Sequence, residues 1–112
     1  MKAPQRGEVW LVDLGLAARF RPAVVMSIPA SDVDRALVTI VPHTTSARGS
    51  RFEATVSVPF PGAGVFDAQN VVTIPHAKLI RNLGKLAAAQ LAAVERAMAV
   101  WLGPSLAAGT KG

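Results

Sequence analysis

Short runs of β-forming residues, broken by proline and glycine, follow one another along most of this chain. Runs of this length and composition are typical of strands, because β-branched and aromatic residues fit a pleated surface. The SARGS segment around Gly49 is predicted as a hairpin loop, and the segment PFPGAGVF as a loop without a strand. The predicted strands lie at residues 8–14, 23–28, 36–41, 52–58 and 70–75.

One helix is predicted after these strands, from about residue 87 to 102. Apolar side chains recur there at helical spacing, and Gly103 followed by Pro104 ends the pattern. Residues 77–81 are predicted as one helical turn. A series of short strands with one terminal helix predicts a mainly β fold of the α+β type, a small antiparallel barrel or twisted sheet. The regularly spaced positions are Leu91, Val94, Met98 and Trp101.

The length of 112 residues predicts a single domain over 1–112, with 104–112 as a frayed tail. Apolar residues make up 51%, which argues against intrinsic disorder. The chain has no cysteine, so disulfides, thiolate metal sites and cysteine nucleophiles are excluded. We find no signal-peptide core and no run of the about 20 apolar residues that span a membrane. We therefore expect a cytoplasmic protein with no membrane partner.

The net charge is +5, and the arginines are spread from Arg6 to Arg96 instead of forming one tail. An excess of lysine and arginine attracts nucleic acid, because it neutralises phosphates and releases counterions. Many small proteins are basic, so charge alone is a weak indication. Any basic surface has to be assembled by the fold.

The segment 41–56, VPHTTSARGSRFEATV, contains the strongest chemical signal. It places hydroxyl side chains at the end of a predicted strand and arginines directly after them. Hydroxyl donors beside guanidinium groups suit a phosphodiester, since the donors bind its oxygens and the cations neutralise its charge. Arginines also precede the apolar run at 23–26. We predict an RNA-cleaving site where these two strand ends meet.

Four segments resemble the MazF/PemK family of toxins: RGEVWLVDL at 6–14, RPAVVMS at 21–27, the segment at 41–56, and AKLIRNLGKL with the VERAMAVWLG helix at 77–103. The resemblance implies an SH3-like barrel of the CcdB/MazF type and a homodimer. It implies a toxin that is paired with a small acidic antitoxin. It also implies metal-independent endoribonuclease cleavage of single-stranded RNA, including mRNA, without a cofactor.

The same resemblance assigns two residues to catalysis. Arg21, directly before the proline that opens the second strand, matches the family's catalytic arginine. Thr44, after a proline and one variable residue, matches its partner. Two segments depart from the family: the first loop is only GLAARF, and VVTIPHAKLI replaces the common Asp-Gln-Ile-Arg-Thr stretch. The core site is carried over, but the cleavage sequence is not.

The remaining candidates each have two interpretations. His43 is a possible general base, because histidine titrates near neutral pH, or a structural residue that points away from Thr44 on a regular strand. Alternation likewise turns Thr44 and Thr45 to opposite faces. Glu8 either orients an arginine or only begins a strand, and Trp10 either stacks on a base or fills the core. The predicted RNA contacts are Arg19, Phe20, Thr45, Ser46, Arg48 and Arg51.

Two other functions stay open at this point. A toxin of the same fold can act on a protein target, as gyrase-directed CcdB relatives do, and it would need no Arg21–Thr44 pair. A degenerate relative would bind RNA or a partner without cutting, an alternative that the short first loop favours. With only two histidines at no motif spacing, no metal site is predicted.

Overall fold

The computed structural model describes residues 3–15, 19–59 and 62–103. The predicted frayed tail at 104–112 lies outside the described residues, as do residues 16–18 of the GLAARF loop. Two 3-10 helices, η1 (Ala68–Asn70) and η2 (His76–Lys78), flank the sixth strand. The other elements are β1 (Glu8–Asp13), β2 (Phe20–Val25), β3 (Leu37–Thr44), β4 (Glu53–Ala54), β5 (Val65–Asp67), β6 (Val72–Pro75), β7 (Leu79–Lys85) and α1 (Ala88–Leu102).

The strands form one antiparallel sheet in the order β4-β5-β3-β2-β1-β7, and β6 pairs with β3 as well. Along the edge opposite β2, the first half of β3 pairs with β6 and its end pairs with β5. β6 lies beside β3, and β7 lies beside β1. Only the three residues of η2 join β6 to β7. A link this short requires the sheet to curl on itself. The predicted fold class, a small antiparallel barrel or twisted sheet with a C-terminal helix, is confirmed.

Two hydrophobic clusters cover the two faces of the curled sheet. One lies between the sheet and α1 and contains Val24, Val41 and Val94. The other lies on the opposite face and contains Val25 and Ile40. Because β2 and β3 are buried on both faces, their sequences are nearly continuous apolar runs instead of alternating patterns. The central strands are thereby fixed in register where the site is built.

The predicted strand at 52–58 is wrong in length and in neighbour. β4 covers only Glu53–Ala54 and pairs with β5, which lies between β4 and β3. The SARGS segment is therefore not a hairpin between adjacent strands. After β4, the amide of Gln90 on α1 donates to the carbonyl oxygen of Ser57 at 2.6 Å. That bond ties the following residues to the helix, so they do not extend the ladder.

Two strands were missing from the sequence interpretation. β5 lies at the end of the PFPGAGVF segment, which was predicted to carry no strand. β7 runs through residues where we predicted at most one helical turn, and that turn is the shorter η2. β7 is an edge strand, paired only with β1, and most of its side chains are exposed. It therefore lacks the apolar alternation that identifies a half-buried strand.

The predicted C-terminal helix is present as α1. Its first turn is held by the side chain of Gln90, which accepts from the backbone N–H of Ala87 at 2.7 Å. Val94 is fully buried, but Trp101 remains 41% exposed and meets Phe52 edge-on at 5.1 Å. Within the described parts of the chain, no helix is long and apolar enough to cross a membrane.

Candidate active site

β2 and β3 bring the two predicted catalytic residues together. The β2–β3 ladder ends at the pair Ala23–Pro42, and Arg21 and Thr44 each lie two residues beyond it. Side chains alternate between the two faces of a strand, so Arg21 and Thr44 project from the face that Ala23 and Pro42 share. Arg21 and Thr44 also line the same cavity. The side chains predicted from two separate segments therefore belong to one site.

The hydroxyl group of Thr44 is oriented by its own strand end. Its Oγ1 accepts from the backbone N–H of Ser46 at 3.0 Å. A hydroxyl that accepts one bond still has its hydrogen to donate. Thr44 is half-buried, whereas Thr45 is exposed. The arrangement suits Thr44 as a donor towards an oxygen held beside Arg21.

The cavity has a volume of about 530 Å³ and lies at the end of the barrel where β2 begins and β3 ends. Pockets for small ligands range over about 300–1,000 Å³, so one nucleotide unit fits. Besides the predicted residues Arg21, His43 and Thr44, four polar residues line it: Asp13, Asp67, Asn70 and Lys78. The sequence interpretation missed all four. The Asp67 side chain accepts from the backbone N–H of Gln69 at 3.1 Å. An aspartate that caps a helical turn, in the segment DAQN, was the one sequence signal that could have pointed to these residues.

His43 lines the same cavity as Arg21 and Thr44, but its side chain is buried. It is only 3% exposed, and its ring meets Phe66 edge-on at 5.1 Å within the cluster beneath α1. Its Nε2 has no hydrogen-bond partner among the residues that the structure describes. Gly64 lies against it: a Cβ there would collide with the Thr44 carbonyl oxygen and stand 2.5 Å from His43 Cε1. The geometry favours the structural interpretation of His43 over the general base.

Burial lowers the pKa of His43 below its usual value, and the positive charge of Arg21 lowers it further. The unfolded chain therefore takes up a proton at higher pH than the folded chain. Stability is complete above about pH 6.5 and falls as the pH drops from there towards the lower folded pKa. We expect urea unfolding to show this decline in the wild type, with a slope of at most about 1.4 kcal/mol per pH unit.

His43→Leu, which keeps an apolar side chain of similar bulk, should flatten that decline, because it removes the proton that the unfolded chain takes up. His76→Asn is the matched control, since it removes the other histidine. An equal slope in wild type and His43→Leu would contradict the assignment.

The loop from Thr45 to Ser50 is shaped by one carboxylate. Glu53 accepts from the backbone N–H groups of Arg48, Gly49 and Ser50 at 3.0–3.2 Å. Residues 45–49 of this loop are exposed, so Ser46 and Arg48 are accessible beside Thr44. The predicted RNA contacts of this loop remain predictions, and the loop follows Thr44 directly in the chain.

The other predicted contacts lie on two different surfaces. Arg19 and Phe20 are exposed at the start of β2, next to Arg21, and Phe20 is 58% exposed. Arg51 instead stacks on the ring of Phe52, 4.7 Å from its centroid. It lines a separate groove between β4 and α1, with Arg96. Arg19, Phe20 and Arg51 are not among the residues that line the cavity, although Arg19 and Phe20 adjoin Arg21 in the chain.

Glu8 and Trp10 are bonded to each other. Glu8 Oε1 accepts from the indole Nε1 of Trp10 at 3.1 Å and from the backbone N–H of Gln5 at 2.8 Å. Neither bond involves an arginine. Trp10 packs partly against the cluster that contains Val12. In the described ranges, no three residues among His, Cys, Asp and Glu are grouped so that they could hold a metal ion.

Comparison with known proteins identifies the family. The family model described as PemK-like, MazF-like toxin of type II toxin–antitoxin system matches residues 5–102. The chain belongs to this family. Endoribonuclease MazF9 of Mycobacterium tuberculosis is 32% identical, and the alignment covers 88% of this chain and 95% of that protein. The resemblance to MazF/PemK toxins that the sequence motifs indicated is confirmed.

Solved MazF structures have the same fold. An endoribonuclease in complex with its cognate antitoxin from a mycobacterial species has a TM-score of 0.78 at 30% identity, covering 90% of this chain and 96% of that one. A MazE–MazF structure from Deinococcus radiodurans has a TM-score of 0.76 at 25% identity, covering 92% and 98%. The PemK/MazF match extends from before β1 to the end of α1, so it includes both Arg21 and Thr44.

Proposed function

We propose that this protein is a MazF-type endoribonuclease that cleaves single-stranded RNA, and that Arg21 and Thr44 act together on the scissile phosphate. The observation that carries the proposal is that both residues line one cavity, at the adjoining ends of two paired strands. Two donors on one face, one of them a cation, suit a phosphate that gains negative charge during the reaction. Similar proteins named endoribonucleases support the assignment.

In the proposed reaction the 2′-hydroxyl oxygen of the RNA attacks the adjacent phosphorus. An O2′–P bond forms and the P–O5′ bond breaks. The products are a 2′,3′-cyclic phosphate and a 5′-hydroxyl, so the proton lost from O2′ is matched by one gained at O5′. DNA lacks the nucleophile and is not cut. Holding O2′ in line with the leaving oxygen supplies much of the rate, because the attack is intramolecular.

Arg21 and Thr44 have separate roles in this step. A guanidinium group stays protonated, since its pKa exceeds about 12, so Arg21 is unsuited to accept the 2′-hydroxyl proton. Arg21 stabilises the charge on the pentacoordinate phosphate and is placed to donate a proton to the leaving oxygen. Thr44 donates to a non-bridging oxygen. The buried ring of His43 supports the strand end that carries Thr44.

The test is incubation of purified protein with a long RNA in EDTA, alongside DNA of the same sequence. We expect discrete RNA fragments with cyclic or 3′-phosphate ends, and intact DNA. Intact RNA that is still bound would favour a non-cleaving relative. RNA that is neither bound nor cut would favour a toxin with a protein target, an alternative that leaves the Arg21–Thr44 pair unexplained.

We expect Arg48→Ala to weaken RNA binding mainly by removing one phosphate contact. Its side chain is exposed on the loop beside Thr44, and the backbone bonds to Glu53 do not depend on it. The plot of log affinity against log salt should become shallower by about 0.7, the value for one phosphate on a single strand. Fluorescence anisotropy with a non-cleavable 2′-deoxy oligonucleotide measures it. Arg35→Ala, also exposed but on the loop before β3, is the control and should leave the slope unchanged.

The protein's partners follow from the same proposal. We infer a cytoplasmic homodimer that is inhibited by a small acidic antitoxin, whose negative charge complements the +5 chain. Val100, Trp101 and Leu102 leave apolar surface exposed at the end of α1, which favours a second copy there. Sedimentation that shows only monomer at micromolar concentration would contradict the dimer. An acidic product of a neighbouring reading frame that fails to bind would contradict the antitoxin.

A further inference from the structure

The cavity beside Arg21 and Thr44 has an apolar floor that its proposed catalytic role does not require. Side chains from three parts of the chain converge on it, and none of them carries a polar group. A phosphate placed on such a surface would lose hydration without gaining a partner. The floor therefore suits a flat, uncharged group. Its residues are Leu14, Pro42, Val72, Ile74 and Pro75.

The cavity rim carries negative charge within a basic protein. Asp13, at the end of β1, and Asp67, at the end of β5, both line the cavity. Each already accepts one local backbone bond, from Gly15 at 2.9 Å and from Gln69 at 3.1 Å respectively. These bonds fix the carboxylates and leave further lone pairs open. Two carboxylates repel a phosphate group, so the neighbouring phosphate stays with Arg21 and the base enters the cavity.

Asn70 adds a fixed amide to this rim. Its Nδ2 donates to Asp67 Oδ2 at 2.6 Å. That bond leaves the Asn70 Oδ1 and one N–H for a ligand. With two carboxylates and one amide oxygen, these rim residues offer more acceptors than donors, and Lys78 is a cation that lines the same cavity. A base that presents an amino group matches this rim better than a base that presents carbonyl oxygens.

We propose that this cavity is the subsite for the base next to the scissile phosphate and that it selects bases with an exocyclic amine over uracil. This inference rests on the proposed ribonuclease function. Cytosine, adenine and guanine each carry an amino group that a carboxylate or an amide oxygen accepts. Uracil has no amino group: it presents a single N3–H between two carbonyl oxygens, and the carboxylates repel those oxygens. Single-stranded RNA is read in this way, through the edges of unstacked bases held on a protein surface.

The experiment is cleavage of a random-sequence single-stranded RNA pool, with the cut ends sequenced. For the wild type we expect one position next to the cut to be depleted of uracil by about ten-fold, the scale of one good base contact. Asp67→Asn removes the charge but keeps a side chain that caps η1 well. It should restore uracil at that position while cutting continues. Asp32→Asn, an exposed acid on the loop before β3, is the matched control and should keep the wild-type profile.

A second measurement separates this inference from the ribonuclease assignment. Short 2′-deoxy oligonucleotides of oligo-dC and oligo-dU cannot be cut, and their binding is read by anisotropy. A dC preference that Asp67→Asn abolishes supports the base subsite even if no RNA is cleaved, in which case only the ribonuclease assignment falls. Cleavage without uracil depletion, or depletion that Asp67→Asn leaves unchanged, overturns the subsite and leaves the ribonuclease standing.

Discussion

Arg21→Ala is expected to slow RNA cleavage by about 10²–10³-fold while the protein stays folded. Removing one preorganised donor from a site that stabilises developing charge has effects of this size. Arg21 is partly exposed and sits near the start of β2, so its loss removes little core packing. Single-turnover cleavage of one labelled RNA measures the rate, and circular dichroism checks the fold. Arg35→Ala, an exposed arginine on the loop before β3, should cut at the wild-type rate.

Two further variants test whether Arg21 and Thr44 act as a unit. Arg21→Lys should be nearly as slow as Arg21→Ala, because lysine keeps the charge but loses the planar two-pronged geometry. The cleavage rate of the Arg21→Ala/Thr44→Ala double variant should fall by less than the product of the two single-variant factors, since the effects of groups that act on one phosphate are not additive. A folded Arg21→Ala protein with the wild-type rate would remove Arg21 from the mechanism.

Gly64→Ala is expected to destabilise the fold by about 2–6 kcal/mol. Gly64 has φ +138°, which an alanine adopts only under strain of about 1–3 kcal/mol. Its Cβ would also collide with the carbonyl oxygen of Thr44 and crowd the ring of His43, adding about 1–3 kcal/mol of overpacking. A domain of this size has about 5–15 kcal/mol in total, so urea unfolding should detect the loss easily.

Gly62→Ala separates the two contributions. Gly62 also has a positive φ, +84°, but a Cβ there meets nothing within 4 Å. Gly62→Ala should lower the free energy of unfolding only by the backbone strain, about 1–2 kcal/mol. Equal destabilisation by both variants would show that the contact of Gly64 with Thr44 and His43 adds nothing. Residual folded Gly64→Ala protein should also cleave more slowly, because the strand end that carries Thr44 has to shift.

The sequence predicted the elements whose patterns are strong and local. The apolar runs of β2 and β3 and the spacing around Val94 in α1 were sufficient to locate these elements. β7 was missed because its exposed edge residues, such as Arg81 and Asn82, have no alternating pattern. The strand predicted at 52–58 was too long, because the hydrogen bond between Gln90 and Ser57 is a tertiary contact that no local sequence pattern indicates.

The site was predictable only in part, for a related reason. Family resemblance pointed to Arg21 and Thr44, and the cavity that both of them line gives that pairing a geometric basis. The rim of the cavity is different, because Asp13 and Asp67 come from strands that are not neighbours in the sheet. Only the curl of the sheet brings them to one cavity. Residue types and their spacing in the sequence do not indicate that Asp13 and Asp67 lie at the same cavity.

The carboxylate of Glu53 holds the backbone of the loop that carries Arg48, so the shape of this loop does not depend on the charge of its side chains. Three backbone N–H groups that would otherwise form an anion-binding nest are occupied by the chain's own side chain. The loop therefore keeps its course whichever side chains its exposed positions carry. Residues at positions 45–48 can therefore be exchanged, adding or removing basic groups, while the loop backbone keeps the same conformation. A toxin lineage built this way can change its affinity for RNA phosphates while its scaffold stays the same.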